Sequence, residues 1–590
     1  MSLDIARSIA FSGLSATQVQ ISVASANISN ADTKGYTEKS ANQATSVTAG
    51  VGTGVTVTGI TSTVDKLLLK SLISATSDLG SADTTNSYLT ELEQLYGSTS
   101  STSSSTTGTS LANTLTSFES ALSSLASTPG SASLQANALS ALDDVAAQLR
   151  ETSSNIQKLR SNADQDISSS VSDINTDLQQ ISDLNAQIKQ ESAAGQSTAD
   201  LEDQRNTALQ DVASMMNVSY FTASNGDLQV YTSSGQALVD SSAHPLSYTT
   251  AASVTSATTY STGSSSGFSG ITVNGVDITS QITSGKVSAL ITLRDQTLPA
   301  AQSQLDQLAQ QLTSSLNAVS NEGTSVPPPT SLTGTATVSS STALSATGTV
   351  RLAVTDTSGN LVSYQDLDLS SYSTVGDLVT AVNGISGLSA SIDSSGHLSI
   401  TATGSSTGVA INEMTSSVGS SSEGFSDYFG LNDLVTGTGA SDIAVRSDLL
   451  AGTAALPTAT LDSSSTLTTG NSVLSSGSAT VVNALYDKLT GSTSFAAAGG
   501  LSTTTGSFAD YAGSIVSSVA TKSSQASSTY TAKETAQSTY ASSLSSESGV
   551  NLDEESARLS SLQNKYTAAS ELIQIINTMF SSLVTAVQAA

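Results

Sequence analysis

Cysteine and tryptophan are absent from this 590-residue chain, and it contains only seven prolines and two histidines. Without cysteine the chain can form neither disulfides nor thiolate metal sites, so helix packing and sheets must hold its fold together. The two histidines, His244 and His397, each stand alone in a polar loop or turn sequence. Neither is therefore predicted to have a catalytic or metal-binding role.

Basic residues are also scarce: 19 Lys and Arg stand against 48 Asp and Glu, which gives a formal net charge of -29. No cluster of bases is visible, so nucleic-acid binding is not expected. The acids are spread along the chain, a pattern typical of a soluble surface whose copies repel one another. Only 11% of the residues are charged. With Ser, Thr and Ala dominant, this composition suits an elongated secreted protein better than a compact enzyme.

No uninterrupted apolar run reaches the roughly 18 residues of a membrane-spanning helix, so membrane insertion is not expected. The first residues, from Met1 to Arg7, lack the basic region and the apolar core of a cleaved secretory signal. This pattern alone predicts a cytoplasmic protein, unless export uses an uncleaved signal.

The motifs that could support catalysis have simpler explanations. The stretch from Gly263 to Gly267 has the letters of a nucleophile elbow, but it lies in a Ser/Gly-rich loop and favours a flexible linker. Acid pairs such as Asp143–Asp144 lie on helix faces or helix starts, where solvation and capping explain them. We therefore predict no enzymatic activity, no cofactor and no metal ion.

The strongest pattern in the chain occupies roughly its last forty residues. From Leu559 onward, apolar residues are spaced alternately by three and four, the repeat that keeps one stripe of a helix facing a partner helix. Asn551 is the predicted N-cap, and the three acids that follow Leu552 suit the positive end of the helix dipole. Additional apolar residues beside the stripe indicate more than one neighbouring helix.

The N-terminal helix, predicted over residues 2–29, has the same spacing and is the candidate partner of the C-terminal helix. Burial between two helices alone falls short of the entropy cost of ordering them. We therefore predict that they become fully ordered only against neighbouring copies, although a coiled coil within one chain is the alternative. The predicted assembly-interface residues are Leu3, Ala6, Ala10, Leu14, Ile21, Ala24, Ile28, Leu559, Leu562, Tyr566, Ile573, Ile576, Phe580, Leu583 and Val587.

Between the ends, the periodicity alternates between helix and strand. Residues 131–194 contain neither Gly nor Pro, which predicts one helix of about 64 residues, roughly 95 Å long, in an elongated body. Residues 286–321 are predicted to be helical, with an interruption at Pro299, and residues 348–412 are predicted as strand, strand, helix, strand, strand. The other predictions are a strand at 50–60, helices at 63–97, 109–127, 198–216 and 508–546, weaker helices near 440–450 and 470–490, and β structure from 218 to about 283.

The predicted fold class is α+β, multidomain and elongated, with a terminal α-helical coiled-coil core, a long-helix middle domain and inserted β-rich domains. The predicted domains are a terminal helical core (1–35 with 548–590), a helical middle domain (36–216 with 286–325 and 440–547), a β-rich insert (217–285) and an α+β insert (326–439).

Two terminal motifs resemble the signatures of the flagellar rod, hook and hook-associated proteins. Ser25–Tyr36 resembles their N-terminal signature, although Lys34 replaces the usual proline and makes the exit from the first helix less rigid. Ser548–Glu555 with the repeat after it resembles their C-terminal signature. Residues 348–412 resemble a small β-rich repeat of hook and flagellin-related proteins. Motifs that resemble the hook-associated members lie at Leu201–Arg205, Asn217–Ser219, Leu293–Asp295, Asp427–Asp433 and Val445–Asp448.

The resemblance implies a structural protein of the bacterial flagellum that assembles as a ring of copies between hook and filament. The implied partners are other copies of the chain, hook protein, the second hook–filament junction protein and a cytoplasmic export chaperone that covers the C-terminal helix. The resemblance also implies type III export without a cleaved signal peptide, to the extracellular flagellum. The alternatives are a flagellin or hook-type axial protein and, in a different class, a Ser/Thr-rich surface adhesin.

Overall fold

The computed structural model describes residues 3–48, 50–97, 110–262 and 267–589. Residues 263–266 of the elbow-like stretch lie outside the described residues. The chain divides into two compact units: unit 1 consists of Met1–Tyr88, Ser161–Asp295 and Ser524–Ala590, and unit 2 of Leu89–Arg160 and Gln296–Ser523. The α+β multidomain class is confirmed, whereas the finer division into four domains stays a prediction.

The described residues contain thirteen α-helices. They are α1 (Leu3–Asn30), α2 (Lys66–Leu95), α3 (Leu111–Ser127), α4 (Ala132–Ala193), α5 (Ala199–Met215), α6 (Lys286–Thr292), α7 (Leu298–Asn321), α8 (Val375–Asn383), α9 (Phe425–Phe429), α10 (Ser447–Leu450), α11 (Thr480–Thr490), α12 (Phe508–Ser548) and α13 (Leu552–Ala589).

The strands of the described residues are short and form small sheets of two or three strands. They are β1 (Lys39–Thr48), β2 (Val51–Ser62), β3 (Ser219–Thr222), β4 (Leu228–Tyr231), β5 (Ala237–Val239), β6 (Leu246–Ser247), β7 (Thr272–Val273), β8 (Val276–Asp277), β9 (Ser331–Thr337), β10 (Ala346–Thr347), β11 (Thr349–Asp356), β12 (Leu361–Asp368), β13 (Leu388–Ile392), β14 (His397–Ala402), β15 (Thr407–Asn412), β16 (Ser417–Val418), β17 (Val435–Thr436), β18 (Ala444–Val445), β19 (Thr493–Phe495) and β20 (Thr504–Gly506).

The prediction of one long helix over residues 131–194 is confirmed by α4, which has 62 residues. In unit 1 its stripe of Ile167, Ile174 and Leu178 is fully buried, at the seven- and four-residue spacing of one helix face. Gly195, at φ +71°, follows the last turn, and the Gln196 N–H donates to the Glu191 carbonyl at 2.8 Å. This is the hydrogen-bond pattern of a Schellman C-cap, which only glycine enters without strain.

The interruption predicted at Pro299 lies just before that residue. A π-helical turn, Leu293–Thr297, separates α6 from α7, and Pro299 occupies the first turn of α7. Proline has no N–H to donate and clashes with the carbonyl four residues earlier, so the backbone widens immediately before it.

The predicted strand–strand–helix–strand–strand order is found as β11, β12, α8, β13 and β14. Two further strands complete the sheets, giving the orders β12-β11-β15 and β13-β14-β9. Their inward residues form one core with α8, including Val350, Leu378 and Ile400 at 0% exposure. The side chain of Thr374 and that of Asp377 cap the start of α8 reciprocally.

Two of the weaker predictions are wrong in part. Near 440–450 only α10 is helical, because the Asp442 carboxylate accepts from the N–H groups of Thr438 and Gly439, both at 2.9 Å, and holds a turn there. Near 470–490 only α11 is helical. Strand β1 was missed, because its Ser, Thr, Asn and Gln residues hide the period of two that identifies a strand.

Candidate assembly interface at the chain ends

The N-terminal motif closes around one buried amide side chain in the last turns of α1. Asn27 is 0% exposed. Its Oδ1 accepts from the Lys39 N–H at 3.1 Å and from the Tyr36 hydroxyl at 3.0 Å, and its Nδ2 donates to the Lys39 carbonyl at 2.9 Å. One side chain thus ties the end of the helix to the first residue of β1.

The turn between them needs glycine at position 35. Gly35 has φ +80°, and a Cβ there would lie 2.4 Å from Thr207 Oγ1 on α5. Beside it, Lys34, which replaces the proline usual in the resembled signature, places its Nζ 3.4 Å from Asp211 Oδ1 at the surface. A flexible, exposed ion pair restrains the backbone less than a proline ring.

Lys39 anchors this exit to α5. Its side chain is 5% exposed, and its ammonium lies 2.7 Å from Asp203 Oδ2 and 3.0 Å from Asp200 Oδ1, with the Tyr36 ring centroid 3.4 Å away. Burial acts to lower the pKa of Lys39, but its hydrogen bonds to the two carboxylates outweigh burial and raise it. Asp203 also accepts from the Thr37 N–H at 3.0 Å. The sequence motif Leu201–Arg205 therefore contributes the carboxylate that holds the end of α1.

The C-terminal motif meets the N-terminal one in the same unit. The N-cap prediction is confirmed, because Asn551 Oδ1 accepts from the N–H groups of Asp553 at 3.1 Å and Glu554 at 3.3 Å. The Ser548 carbonyl accepts from the Glu38 N–H at 2.8 Å. Arg558 Nη1 then lies 3.0 Å from Glu555 Oε1 and 3.3 Å from Glu38 Oε1.

These contacts bring two carboxylates to a single guanidinium. Glu555 is 1% exposed. Burial, followed by the Glu555 charge, raises the pKa of Glu38, while Arg558 counteracts both. Sequence reasoning missed Lys39, Asp203, Glu38 and Arg558 as members of the terminal assembly, because their partners are far away in the chain.

The terminal helices contact each other as the spacing predicts, with α1 also covered by the β1–β2 hairpin. The burial of the predicted interface residues divides them into three groups. Ala10, Ala24, Leu562 and Ile576 are buried, Leu3, Ala6, Leu14, Ile21, Ile28, Leu559 and Ile573 are partly buried, and Tyr566, Phe580, Leu583 and Val587 are exposed.

Toward its C-terminal end α13 has no cover in the described residues. Phe580 is 40% exposed, Leu583 53% and Val587 71%, and beside them Ile575 and Met579 are more than half exposed. Residues on this part of α13 line an open groove of about 880 Å³. We call the exposed set Leu572, Ile575, Met579, Phe580, Leu583, Val584 and Val587 the apolar end of α13. Val584 does not belong to the stripe predicted from the three- and four-residue spacing, although it lies four residues after Phe580.

The stretch Phe508–Ala589 contains a window of mean hydropathy 1.4 that is long and apolar enough, by length and composition alone, to cross a membrane. Only 6% of that window is buried. This window contains Ser, Thr, Asn or Gln residues, so it is not an uninterrupted apolar run and the sequence criterion did not detect it. The exposed helix surface in this window is more apolar than that of an ordinary solvent-facing helix.

Family models match four segments of the chain. The helical domain of the flagellar hook-associated protein FlgK matches residues 80–331, and the flagellar basal body rod protein matches residues 8–37. The C-terminal domain of the basal body rod FlgEFG proteins matches residues 541–586, and the flagellin hook IN motif matches residues 349–404. Together, these matches support a flagellar hook-associated protein similar to FlgK. They support a structural role in the flagellum, where the chain links hook and filament.

The FlgK helical-domain match separates this chain from the flagellin, hook-protein and adhesin alternatives. A solved structure of the flagellar hook junction protein FlgK from Burkholderia pseudomallei is 18% identical, with 80% of this chain and 98% of that chain covered and a TM-score of 0.45. No curated protein matches the chain. The rod-protein match ends one residue before Glu38, and the FlgEFG match includes Arg558.

Proposed function

We propose that this chain links hook and filament by packing its terminal helices against those of neighbouring copies in a ring. Within one copy, α1 pairs with the part of α13 that reaches as far as the buried Ile576. The apolar end of α13 then inserts between helices of the next copies, and it carries mechanical load rather than performing chemistry. No catalytic activity belongs to this proposal.

The observation that supports it is the exposure of the apolar end of α13. Seven large apolar side chains on two adjoining stripes of one helix face solvent in a chain of net charge -29. Contiguous apolar patches on soluble proteins mark interaction surfaces, because water exposure of each large side chain costs about 1.5–3 kcal/mol. Two stripes require cover from two directions, as in a tube wall where each helix touches several others.

The ring needs a different partner on each side. We propose hook protein on one side and the second hook–filament junction protein on the other. A head-to-tail contact that closes after a full rotation generates a ring of identical copies. Before export, a cytoplasmic chaperone would shield the apolar end of α13, and the uncleaved N-terminal region would direct type III export.

The test compares Phe580→Asp with Asn577→Asp, which adds the same charge at an exposed position less than one turn away. Phe580 is exposed in the single copy, so Phe580→Asp leaves the secreted protein folded and monomeric. In the ring, a buried unpaired carboxylate costs several kcal/mol, so incorporation falls by more than about tenfold. Immunolabelled electron microscopy of isolated hook–filament structures measures incorporation, and circular dichroism measures folding.

Ile576→Asp serves as a contrast, because Ile576 is only 6% exposed. This substitution disturbs the α1–α13 pair within the copy as well as incorporation. The proposal is wrong if Phe580→Asp enters the structures as efficiently as Asn577→Asp.

A further inference from the structure

Unit 1 contains a basic groove in an otherwise acidic chain. Residues at the start of α2, the end of α4, the first half of α5 and the β3–β4 hairpin enclose a volume of about 920 Å³. Lys66, Lys70, Lys189 and Arg205 line it against a single acid, Glu202. Four of the chain's 19 basic residues therefore converge on one surface. We call these four residues the basic groove.

Within the described residues, three of the four cations of the basic groove have no carboxylate partner, whereas Lys189 lies 3.2 Å from Asp227 Oδ1. Lys66 and Lys70 are exposed, and no salt bridge in the described part of the chain includes either one. Arg205 is 5% exposed, and its Nε has no hydrogen-bond partner. Its Nη1 donates only to neutral oxygens, Asn185 Oδ1 at 2.8 Å and the Gly226 carbonyl at 3.0 Å. A buried guanidinium that is not paired with a carboxylate favours the approach of an anion.

A second charged surface of unit 1 has the opposite sign. Burial, then the charges of Asp211 and Asp173, raise the pKa of Asp177 to about 6. Asp173 is exposed, and the Asp211 side chain is 47% exposed and lies 3.4 Å from Lys34 Nζ, an exposed ion pair. We call Asp173, Asp177 and Asp211 the acidic patch. Three carboxylates that repel one another gain from an external cation.

The two surfaces face different directions on the helices that they share. On α4, Asp173 and Lys189 lie about 160° apart around the axis at 3.6 residues per turn. On α5, Arg205 and Asp211 lie about 120° apart by the same geometry. One copy therefore cannot neutralise its own acidic patch with its own basic groove. A head-to-tail contact joins two different surfaces of identical copies. The basic groove and the acidic patch are two such surfaces.

We infer that the basic groove of one copy receives the acidic patch of the next copy, forming a lateral contact between neighbours outside the terminal helices. This inference rests on the proposed ring of copies. Carboxylates of Asp173 and Asp177 pair with Lys66 and Lys70, and the contact offsets the repulsion between copies of net charge -29.

The test uses cysteine cross-linking. Because the chain has no native cysteine, only the introduced cysteines of this chain can react. The variant Lys70→Cys with Asp173→Cys is incorporated into hook–filament structures, which are isolated and treated with a short bismaleimide. Each copy then carries both ends of the contact, so the expected product is a ladder of cross-linked multiples of this chain. The matched control is Lys70→Cys with Asp183→Cys, which loses the same charges but places the second cysteine about 80° around α4 and about 15 Å along it from residue 173.

Charge reversal gives an independent readout. Lys66→Glu with Lys70→Glu lowers incorporation at least about threefold, and adding Asp173→Lys with Asp177→Lys restores it, because the pairs are re-formed with exchanged signs. Two results would overturn this contact alone. In the first, the cysteine variant is present in the hook–filament structures but gives no more cross-linked multiples than its control. In the second, the added Asp173→Lys and Asp177→Lys substitutions do not restore incorporation. A wild-type chain absent from the structures overturns the proposed ring and this contact with it.

Discussion

Arg558 Nη1 lies 3.3 Å from Glu38 Oε1, although the two residues are 520 positions apart in the chain. Beside this pair, the Glu38 N–H donates to the Ser548 carbonyl at 2.8 Å. The contacts join the segment just after the N-terminal motif to the C-terminal motif and the start of α13. The direction in which α13 presents its apolar end therefore depends on a few polar contacts at its start.

Arg558→Gln leaves Glu38 and Glu555 facing each other without a cation. The pKa of Glu38, already raised by burial and by Glu555, rises further. A carboxyl whose folded pKa is raised stabilises the fold in acid and loses that contribution as pH rises through the folded value. We expect the stability deficit of the variant to grow between about pH 5 and about pH 8 by on the order of 1 kcal/mol, after allowance for solvent screening.

Thermal unfolding at the two pH values measures this effect, and Glu38→Gln in the same background is its control. Removing the second carboxylate rescues the variant at the higher pH. A deficit independent of pH, or an absence of rescue, contradicts the assignment of Arg558 as the shared cation.

Asn27→Ala removes the amide that accepts from the Lys39 N–H at 3.1 Å. Leaving buried donors without partners costs about 1–3 kcal/mol, so the exit from α1 opens more often. We expect hydrogen exchange at the Lys39 amide to accelerate by about five- to a hundredfold. Asn30→Ala is the matched control, because its side chain is only partly buried and its hydrogen bonds are local, to the Ala26 carbonyl and from the Thr33 hydroxyl. Equal exchange in the two variants excludes the anchoring role of Asn27.

Gly35→Ala combines two costs. A non-glycine residue at φ +80° is strained by about 1–2 kcal/mol, and the new Cβ would lie 2.4 Å from Thr207 Oγ1. Gly195→Ala is the control for strain alone, since that glycine has φ +71° and open space around it. The Thr37 amide donates to Asp203. We expect its hydrogen exchange to accelerate more than tenfold in Gly35→Ala but not in Gly195→Ala. A tenfold acceleration corresponds to about 1.4 kcal/mol in the free energy of local opening. An unchanged rate would show that α5 does not constrain this turn.

Asp427→Asn stabilises unit 2 at neutral pH. Burial, followed by the charges of Asp433, Glu423 and Glu413, raises the pKa of Asp427 to about 6. Wild-type stability is therefore lost as pH rises through about 6, and the variant avoids this loss. We expect a gain on the order of 1 kcal/mol above about pH 7 that fades toward about pH 4, measured by chemical unfolding.

Asp442→Asn provides a control of opposite sign. Burial acts to raise the pKa of Asp442, but hydrogen bonds from the Gly439 and Thr438 N–H groups outweigh burial and lower it. Its stabilising contribution is present above the unfolded pKa and lost as pH falls through the folded value. This variant is therefore destabilised at neutral pH, and the same sign in both variants would contradict the electrostatic explanation.

Much of the helical architecture could be predicted because its signals are local. The absence of Gly and Pro over residues 131–194 predicts α4, and the three- and four-residue spacing after Leu559 predicts α13. The prediction failed at β1, where polar residues conceal the strand, and at residues 440–446, where the Asp442 side chain holds a turn. Both failures occur where a polar side chain or a partner strand, rather than apolar periodicity, decides the backbone.

The sequence by itself determined which faces of the terminal helices are apolar, since side-chain spacing along a helix follows from its pitch. Only the tertiary structure decided which part of each face is covered. Ile576 is buried within the copy while Phe580, four residues later, is exposed. It also decided that Lys39 meets Asp203 and that Arg558 meets Glu38, because such pairs depend on how distant segments pack and leave no periodic trace in the chain.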